Sequence, residues 1–258
     1  MTARLAALAG RVRQIEVSLV QRGFARPLRA ARSPWYAIRN ADDGERAIVL
    51  LDGEIGWDVE SSTFASELRA ITAPNIDLHI NSPGGSAWDG YAIYNALVSH
   101  PAKVTSHILG VAASAASFIA MAGEEIVAYR PSEMMIHDAA GYVDIFMMAN
   151  PADLARVIDE LTQLEVALNQ TSDEIAAIYA RRAGGTVVEW REFMQATTWY
   201  TPDTALAAGL VDRINGDDAG DDDATDSVLE SGATDGATAS AAWGWAAARH
   251  RARARARA

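Results

Sequence analysis

The 258-residue chain contains no cysteine, and this absence removes several kinds of site. Disulfides, thiol nucleophiles and thiolate metal ligands are all excluded, and a chain without cysteine fits a reducing compartment. The chain also lacks a long apolar run, because the longest, 109–123, is too short to cross a bilayer. No segment resembles a signal peptide. We therefore expect a soluble, cytoplasmic protein with no membrane partner.

Basic residues are scarce beyond the first 40 positions, which carry eight arginines and one glutamate. Residues 41–216 carry 9 basic and 25 acidic groups, and the whole chain has a formal net charge of −12. Phosphate contacts need clustered lysine and arginine, so the acidic middle argues against nucleic acid as a partner. No glycine-rich phosphate loop with a following lysine occurs, so we do not expect the chain itself to hydrolyse ATP.

Composition divides the chain into three parts. Residues 1–44 form a basic N-terminal segment, and residues 45–215 carry dense periodic structure. Residues 216–258 are rich in Asp, Gly, Ala, Thr and Ser and end in an Arg-Ala repeat. This tail has too little apolar surface to offset the entropy of ordering it, so we expect it to be largely disordered.

Strand and helix patterns alternate through residues 45–215. Helices are predicted over 59–71, 88–99 and 115–122, and strands over 47–51, 76–80, 104–109, 126–128 and 133–136. This order is typical of a layered α/β domain with a mainly parallel sheet.

A longer helix is predicted to follow these elements. It begins with Asn150 as N-cap and Pro151 in the first turn. An apolar stripe recurs every seven residues along it, at Leu154, Leu161, Leu168 and Ile175. The stripe fits packing on the helix's own domain and equally fits packing on a sister subunit.

One serine stands where a strand pattern changes to a helix pattern, as a nucleophile often does. Ser114 lies within Gly110-Val-Ala-Ala-Ser-Ala-Ala-Ser-Phe118, directly after the strand that ends at Leu109. A serine hydroxyl needs a base to remove its proton, and His137, at the end of the predicted strand 133–136, suits that task. We predict a serine hydrolase.

The oxyanion formed on attack needs preorganised N–H donors. The backbone amide of Ala115 directly follows the serine, and that of Gly85 closes the segment Asn81-Ser-Pro-Gly-Gly85. The missing side chain of Gly85 would let its backbone approach a substrate closely. Ser117 is interpreted as a packed small residue. The remaining histidines of this part are His79, His100 and His107. No other residues stand around them at the spacing of metal ligands, so no metal or other cofactor is predicted.

Four ordered motifs resemble the proteolytic subunit of Clp protease. They are 81–85, 110–118, 135–137 and 208–212, the last two reading Met-Ile-His and Ala-Gly-Leu-Val-Asp, and the resemblance covers about residues 45–215. It implies the Clp protease/crotonase-like α/β spiral of β-α units with a protruding handle helix. It also implies a nucleophile at Ser114, a base at His137 and oxyanion donors at Gly85 and Ala115.

The same resemblance implies how the protein would work with other molecules. Members of the family cut polypeptides and form ring-shaped homo-oligomers, a heptamer or a double heptamer, with active sites that face a chamber. Any dependence on ATP would come from a separate AAA+ unfoldase.

The resemblance fails at the third catalytic position. The family's aspartate falls on Phe193, which cannot orient an imidazole, and the remaining candidates are Gln195, Glu192 and Asp138. This departure and the tails resemble phage and prophage head maturation proteases, whose substrates are capsid or scaffold proteins. Two alternatives stay open, a catalytically inactive assembly or scaffold protein and a crotonase-like acyl-CoA enzyme that stabilises an enolate with the glycine amides.

Overall fold

The computed structural model of the chain describes residues 35–40, 44–56, 61–141, 143 and 150–216. The predicted disordered tail beyond residue 216, and residues 1–34 of the basic segment, lie outside the described residues. No helix among the described residues has both the length and the apolar character that a membrane span requires.

One mixed sheet organises the described part of the chain. Its main order is β1-β2-β3-β4-β5-β8, and β6 joins β4 and β7. Five pairings are parallel, whereas β1 with β2 and β6 with β7 are antiparallel. The predicted α/β class with a mainly parallel sheet is confirmed. The strands are Tyr36–Asn40 (β1), Arg46–Ile55 (β2), Asn75–Gly85 (β3), Lys103–Ala113 (β4), Glu125–Ala128 (β5), Glu133–Ile136 (β6), Thr198–Tyr200 (β7) and Arg213–Ile214 (β8).

Six helices are described around this sheet. The sequence predicted α1 to α4 in the order found, and it did not predict the remaining two, α5 and α6. They are Ser61–Arg69 (α1), Ala87–Val98 (α2), Ala115–Ala120 (α3), Pro151–Ala183 (α4), Val187–Gln195 (α5) and Pro202–Ala208 (α6). Residues of β2, β3 and β4 alternate between buried and partly exposed, so one face of these strands packs into the core.

The long helix α4 begins as its capping sequence predicts. The Asn150 side chain accepts hydrogen bonds from the backbone N of Ala152 (2.9 Å) and Asp153 (3.0 Å), and the Asp153 carboxylate accepts one from Asn150 N. The apolar stripe divides into two parts. Its C-terminal part, with Ile175, is buried in the domain, whereas Leu154 near the N-terminus is 51% exposed. Only the second half of the stripe therefore packs on its own domain.

The sheet begins before residue 45, inside the part that composition assigned to the N-terminal segment. Trp35 and Tyr36 are buried against Phe64 of α1, with ring centroids 5.6 and 5.1 Å from that of Phe64. Burial of large aromatic side chains is worth several kcal/mol in a core, which explains why this stretch joins the domain as an edge strand.

Strand β4 divides the sheet into two branches. Its first half, Thr105–Ile108, pairs with β5, and its end, Val111–Ala113, pairs with β6. The register with β3 shifts between the pairs Ile80–Ile108 and Ser82–Ala112, so β4 holds two extra residues there. The end of β4 is thereby directed toward β6, the strand that precedes His137.

Candidate active site

Ser114 connects the end of β4 to the start of α3 and is nearly buried, with 5% of its surface exposed. Its backbone angles, φ 53° and ψ −122°, match the first central residue of a type II′ turn, a position that normally favours glycine. A non-glycine residue in such a region costs about 1–3 kcal/mol and occurs mainly at functional sites. Its backbone N donates a 2.9 Å hydrogen bond to the Met135 carbonyl of β6.

His137 directly follows β6 and lies against this serine. Its Nε2 is 2.8 Å from Ser114 Oγ, within the range for direct proton transfer. Burial lowers the pKa of His137, while the charge of Asp138 and a backbone hydrogen bond of Asp138 act in the opposite direction. A lowered pKa keeps the imidazole neutral at pH 7, the form that accepts a proton. The backbone N of Ala139 donates to Ser172 Oγ (2.9 Å), which attaches the chain after His137 to α4.

Gly84 is the glycine that lies against Ser114. A Cβ at Gly84 would lie 2.6 Å from the Ala113 carbonyl oxygen, 2.7 Å from Ser114 Cβ and 2.8 Å from Ala115 N. Real Cβ atoms do not approach backbone so closely, and Gly84 also has a positive φ of 95°. This position therefore excludes every side chain, and it brings the end of β3 next to the backbone amide of Ala115.

The missing side chain of Gly85 serves a different purpose from the one that the sequence suggested. A Cβ at Gly85 would clash with the backbone of Ile55 in β2, and Ser86 N donates to the Ile55 carbonyl (3.1 Å). Gly85 thus allows β2 and β3 to pair to their ends. The close approach toward the serine belongs to its neighbour, Gly84.

The Ser82 side chain holds the glycine pair in place by hydrogen bonds. The sequence did not predict this role. Ser82 Oγ donates to the Gly53 carbonyl (2.5 Å) and accepts from Gly84 N (3.1 Å), and the side chain is fully buried. A readable signal existed, because Ser82 continues the series of alternate buried residues along β3. Asn81, its neighbour, accepts a hydrogen bond from Val111 N (3.3 Å) where the β3–β4 register shifts.

Three residues at or near the expected third catalytic position lie on α5. The Phe193 ring packs edge-on against Trp190, with centroids 5.7 Å apart. Glu192 and Gln195 are exposed, and neither of these described side chains hydrogen-bonds to His137. Glu192 and Gln195 therefore supply no direct hydrogen bond that would orient the imidazole of His137.

Asp138 is the carboxylate that acts electrostatically on His137. Both of its oxygens accept hydrogen bonds from Arg191 of α5, each 3.0 Å long. Arg191 also donates to Asp173 and to the carbonyl and side chain of Asn169 on α4 (3.2 and 3.0 Å). A fork of charge-assisted hydrogen bonds thus joins α4 and α5 to the residue beside the predicted base.

Thr197 is a further feature that the sequence did not reveal. Strand β7 pairs with β6 through Ile136 and Thr198, so the next position of the ladder sets Thr197 opposite His137. Thr197 has a φ of 53°, a genuine outlier for a β-branched residue.

Two of the histidines with no predicted role lie side by side on the partly exposed face of the sheet. The ring centroids of His79 and His107 are 5.1 Å apart, and His107 Nε2 is 3.6 Å from Asp77 Oδ1. Burial is the main cause that lowers the pKa of both. In the part of the chain that the structure describes, no group of three or more His, Cys, Asp or Glu side chains could hold a metal ion.

Comparison with known families finds a match that spans the described strands and helices. The sequence matches the family model described as Clp protease over residues 32–218, well over half of the chain. The matched range contains Ser114, His137, both glycines and the whole of α4. The mixed sheet and the long helix are consistent with the fold shared by Clp protease and the crotonases.

Proposed function

Because the chain belongs to the Clp protease family of serine peptidases, we propose that it is a serine endopeptidase that works through Ser114 and His137. The observation that carries this proposal is the 2.8 Å separation of Ser114 Oγ and His137 Nε2 at a strained, nearly buried turn. A serine and a neutral imidazole in direct contact form the minimal nucleophile and base of acyl transfer.

The reaction follows from these groups. Ser114 Oγ attacks the carbonyl carbon of the scissile peptide bond as its proton moves to His137 Nε2. The tetrahedral oxyanion accepts hydrogen bonds from the N–H groups of Gly85 and Ala115, each of which would contribute about 3–4 kcal/mol. His137 then protonates the leaving amine and an acyl-enzyme remains. Water, deprotonated by the same imidazole, attacks the ester and releases the second product.

Support for the oxyanion donors comes from Gly84. Its lack of a side chain leaves room at Ala115 N, where a Cβ would otherwise lie 2.8 Å away. The proposed Gly85 N–H belongs to the peptide that directly follows Gly84, the residue that lies against the Ser114 turn.

For the third group, the contacts favour Asp138 over Gln195 and Glu192. Asp138 is the residue whose charge and backbone act on His137, and Arg191 fixes its carboxylate. A carboxylate whose oxygens are taken by arginine stabilises an imidazolium less than a free one does. We therefore expect slower turnover than in enzymes with a complete triad.

The family suggests polypeptide substrates and an oligomer. We propose a ring-shaped homo-oligomer in the cytoplasm, with an AAA+ unfoldase as an optional partner. The exposed apolar half of α4, where Leu154 and Ile158 are 51% and 63% exposed, supports contact with sister subunits. The finer role, maturation of phage heads by cutting capsid or scaffold proteins, rests on the sequence resemblance and its departure at Phe193.

The test is covalent labelling combined with peptide cleavage. Wild type should react with a fluorophosphonate probe, and it should cleave a fluorogenic peptide or a phage capsid or scaffold protein. The Ser114→Ala variant should show neither labelling nor cleavage. Ser106→Ala is the matched control, because Ser106 is a buried serine of β4, the strand that leads to Ser114. A folded wild type that stays unlabelled would favour the inactive assembly protein or the acyl-CoA enzyme.

A further inference from the structure

Two buried hydroxyl groups lead from Ser114 into the core. Ser117 Oγ donates a 2.5 Å hydrogen bond to the Ser114 carbonyl, and Tyr179 OH of α4 lies 2.7 Å from Ser117 Oγ. Ser117 and Tyr179 are 0% and 1% exposed. The catalytic steps proposed above use neither of them, and the sequence suggested only that Ser117 is packed.

The direction of these hydrogen bonds follows from the number of protons. A serine hydroxyl has one proton, and Ser117 gives it to the Ser114 carbonyl. Tyr179 must then donate its own proton to Ser117 Oγ. Burial raises the pKa of Tyr179, which keeps the phenol protonated and able to donate. The two hydroxyls therefore act in series on one carbonyl oxygen.

That carbonyl belongs to the peptide group that carries the Ala115 N–H. A trans peptide is planar, and its C=O and N–H point in opposite directions. When Ser117 holds the Ser114 carbonyl toward the core, the Ala115 N–H is directed away from it. The backbone N of Ser117 donates to the same carbonyl at 3.0 Å and reinforces this orientation.

The strained turn gives this anchoring its importance. With φ at 53° and ψ at −122°, Ser114 has a strained backbone conformation, which persists only where surrounding contacts hold it. We propose that Tyr179 and Ser117 are positioning residues that hold the Ser114–Ala115 peptide so that the Ala115 N–H meets the oxyanion. This inference rests on the proposed peptidase function and deepens it.

The experiment compares Tyr179→Phe, Ser117→Ala and the double variant. Tyr91→Phe is the matched control, because Tyr91 OH also donates to α4, at the Thr171 carbonyl (2.7 Å), without contacting Ser114. Losing a whole oxyanion donor lowers kcat about 100-fold or more, so a misdirected donor should lower it about tenfold. We expect that loss in each single variant, the same loss in the double variant, and none in Tyr91→Phe.

Two further readouts separate positioning from general destabilisation. KM and the pH midpoint of kcat/KM should stay at their wild-type values, because the substitutions do not change the base, His137. Only the maximum value of kcat/KM at high pH should fall. The rate of fluorophosphonate labelling should fall with kcat, because the phosphoryl oxygen occupies the oxyanion site. If Tyr179→Phe does not fold, Ser117→Ala alone decides, since it removes the hydroxyl that contacts Ser114.

The outcomes distinguish this inference from the function beneath it. An unlabelled wild type would refute the peptidase function and the inference with it. A labelled wild type, together with Tyr179→Phe and Ser117→Ala variants that react as fast as Tyr91→Phe, would refute the inference alone. Losses that multiply in the double variant would also overturn it, because residues acting in series share one effect.

Discussion

Replacing Asp138 by asparagine should move the pH dependence of activity toward acid. The charge of Asp138 raises the pKa of His137, against a larger lowering by burial. Asparagine removes that charge and leaves only the backbone hydrogen bond of residue 138 to oppose the effect of burial, so the imidazole becomes harder to protonate. A neighbouring carboxylate shifts a pKa by about one unit or more, and one unit corresponds to about 1.4 kcal/mol.

The arginine partner sets the size of this effect. Arg191 donates to both Asp138 oxygens at 3.0 Å and neutralises much of their field at His137. We therefore expect a downward shift of at most about one unit for Asp138→Asn. Arg191→Gln should have the opposite sign, because it frees the carboxylate to stabilise the imidazolium and moves the midpoint to higher pH.

The assay is kcat/KM for a fluorogenic peptide between pH 5 and 9, for wild type and both variants. Asp173→Asn is the control, since Asp173 also accepts a hydrogen bond from Arg191 but its side chain is 58% exposed. It should leave the midpoint unchanged. Shifts of equal sign in Asp138→Asn and Arg191→Gln, or no shift in either, would refute the electrostatic reasoning.

Three further predictions concern the glycine pair, the histidines and the turn after α5. Gly84→Ala should lower fluorophosphonate labelling at least about 100-fold, because the new methyl would lie 2.6 Å from the Ala113 carbonyl oxygen and 2.8 Å from Ala115 N and would displace the serine turn; labelling of the folded variant at the wild-type rate would contradict this. The free energy of unfolding should fall as the pH drops below about 6.5. The reason is that the pKa values of His79, His107 and His137 are lowered by folding, so the unfolded chain binds protons more readily than the folded one. Denaturant titrations at about pH 7.5 and 5.5 measure this difference. Thr197→Gly should raise that free energy by about 1 kcal/mol by relieving the positive φ, and a decrease would show that tertiary contacts require the threonine.

Local sequence patterns predicted the elements that depend on local interactions. The start of α4 follows from Asn150, Pro151 and Asp153, whose capping hydrogen bonds span four residues. The position of Ser114 was equally readable, because the change from strand to helix pattern requires a turn there. The strand β7 was not readable, since three residues have no detectable periodicity and their pairing with β6 joins segments about 60 residues apart.

The glycine pair shows where motif reasoning needs geometry. Two adjacent glycines indicate close backbone contact but not which atoms make it. The structure assigns contact with β2 to Gly85 and contact with the serine turn to Gly84. The difference arises from the parallel pairing of β2 and β3, which no local pattern encodes. Ser82 could have been recognised earlier, because a polar residue in a buried series usually has a bonding role.

The candidate site therefore consists of two parts with different dependence on the fold. The nucleophile and the proposed oxyanion donors come from two tight segments, 81–85 and 113–117, whose backbone shape is set by glycines and short-range hydrogen bonds. Orientation of His137 instead depends on contacts among β6, α4 and α5, with Arg191 at their centre. Mutations in α4 or α5 that leave Ser114 in place can therefore change the base while sparing the nucleophile. For that reason the pH profile, and not labelling alone, measures how far this chain departs from a complete triad.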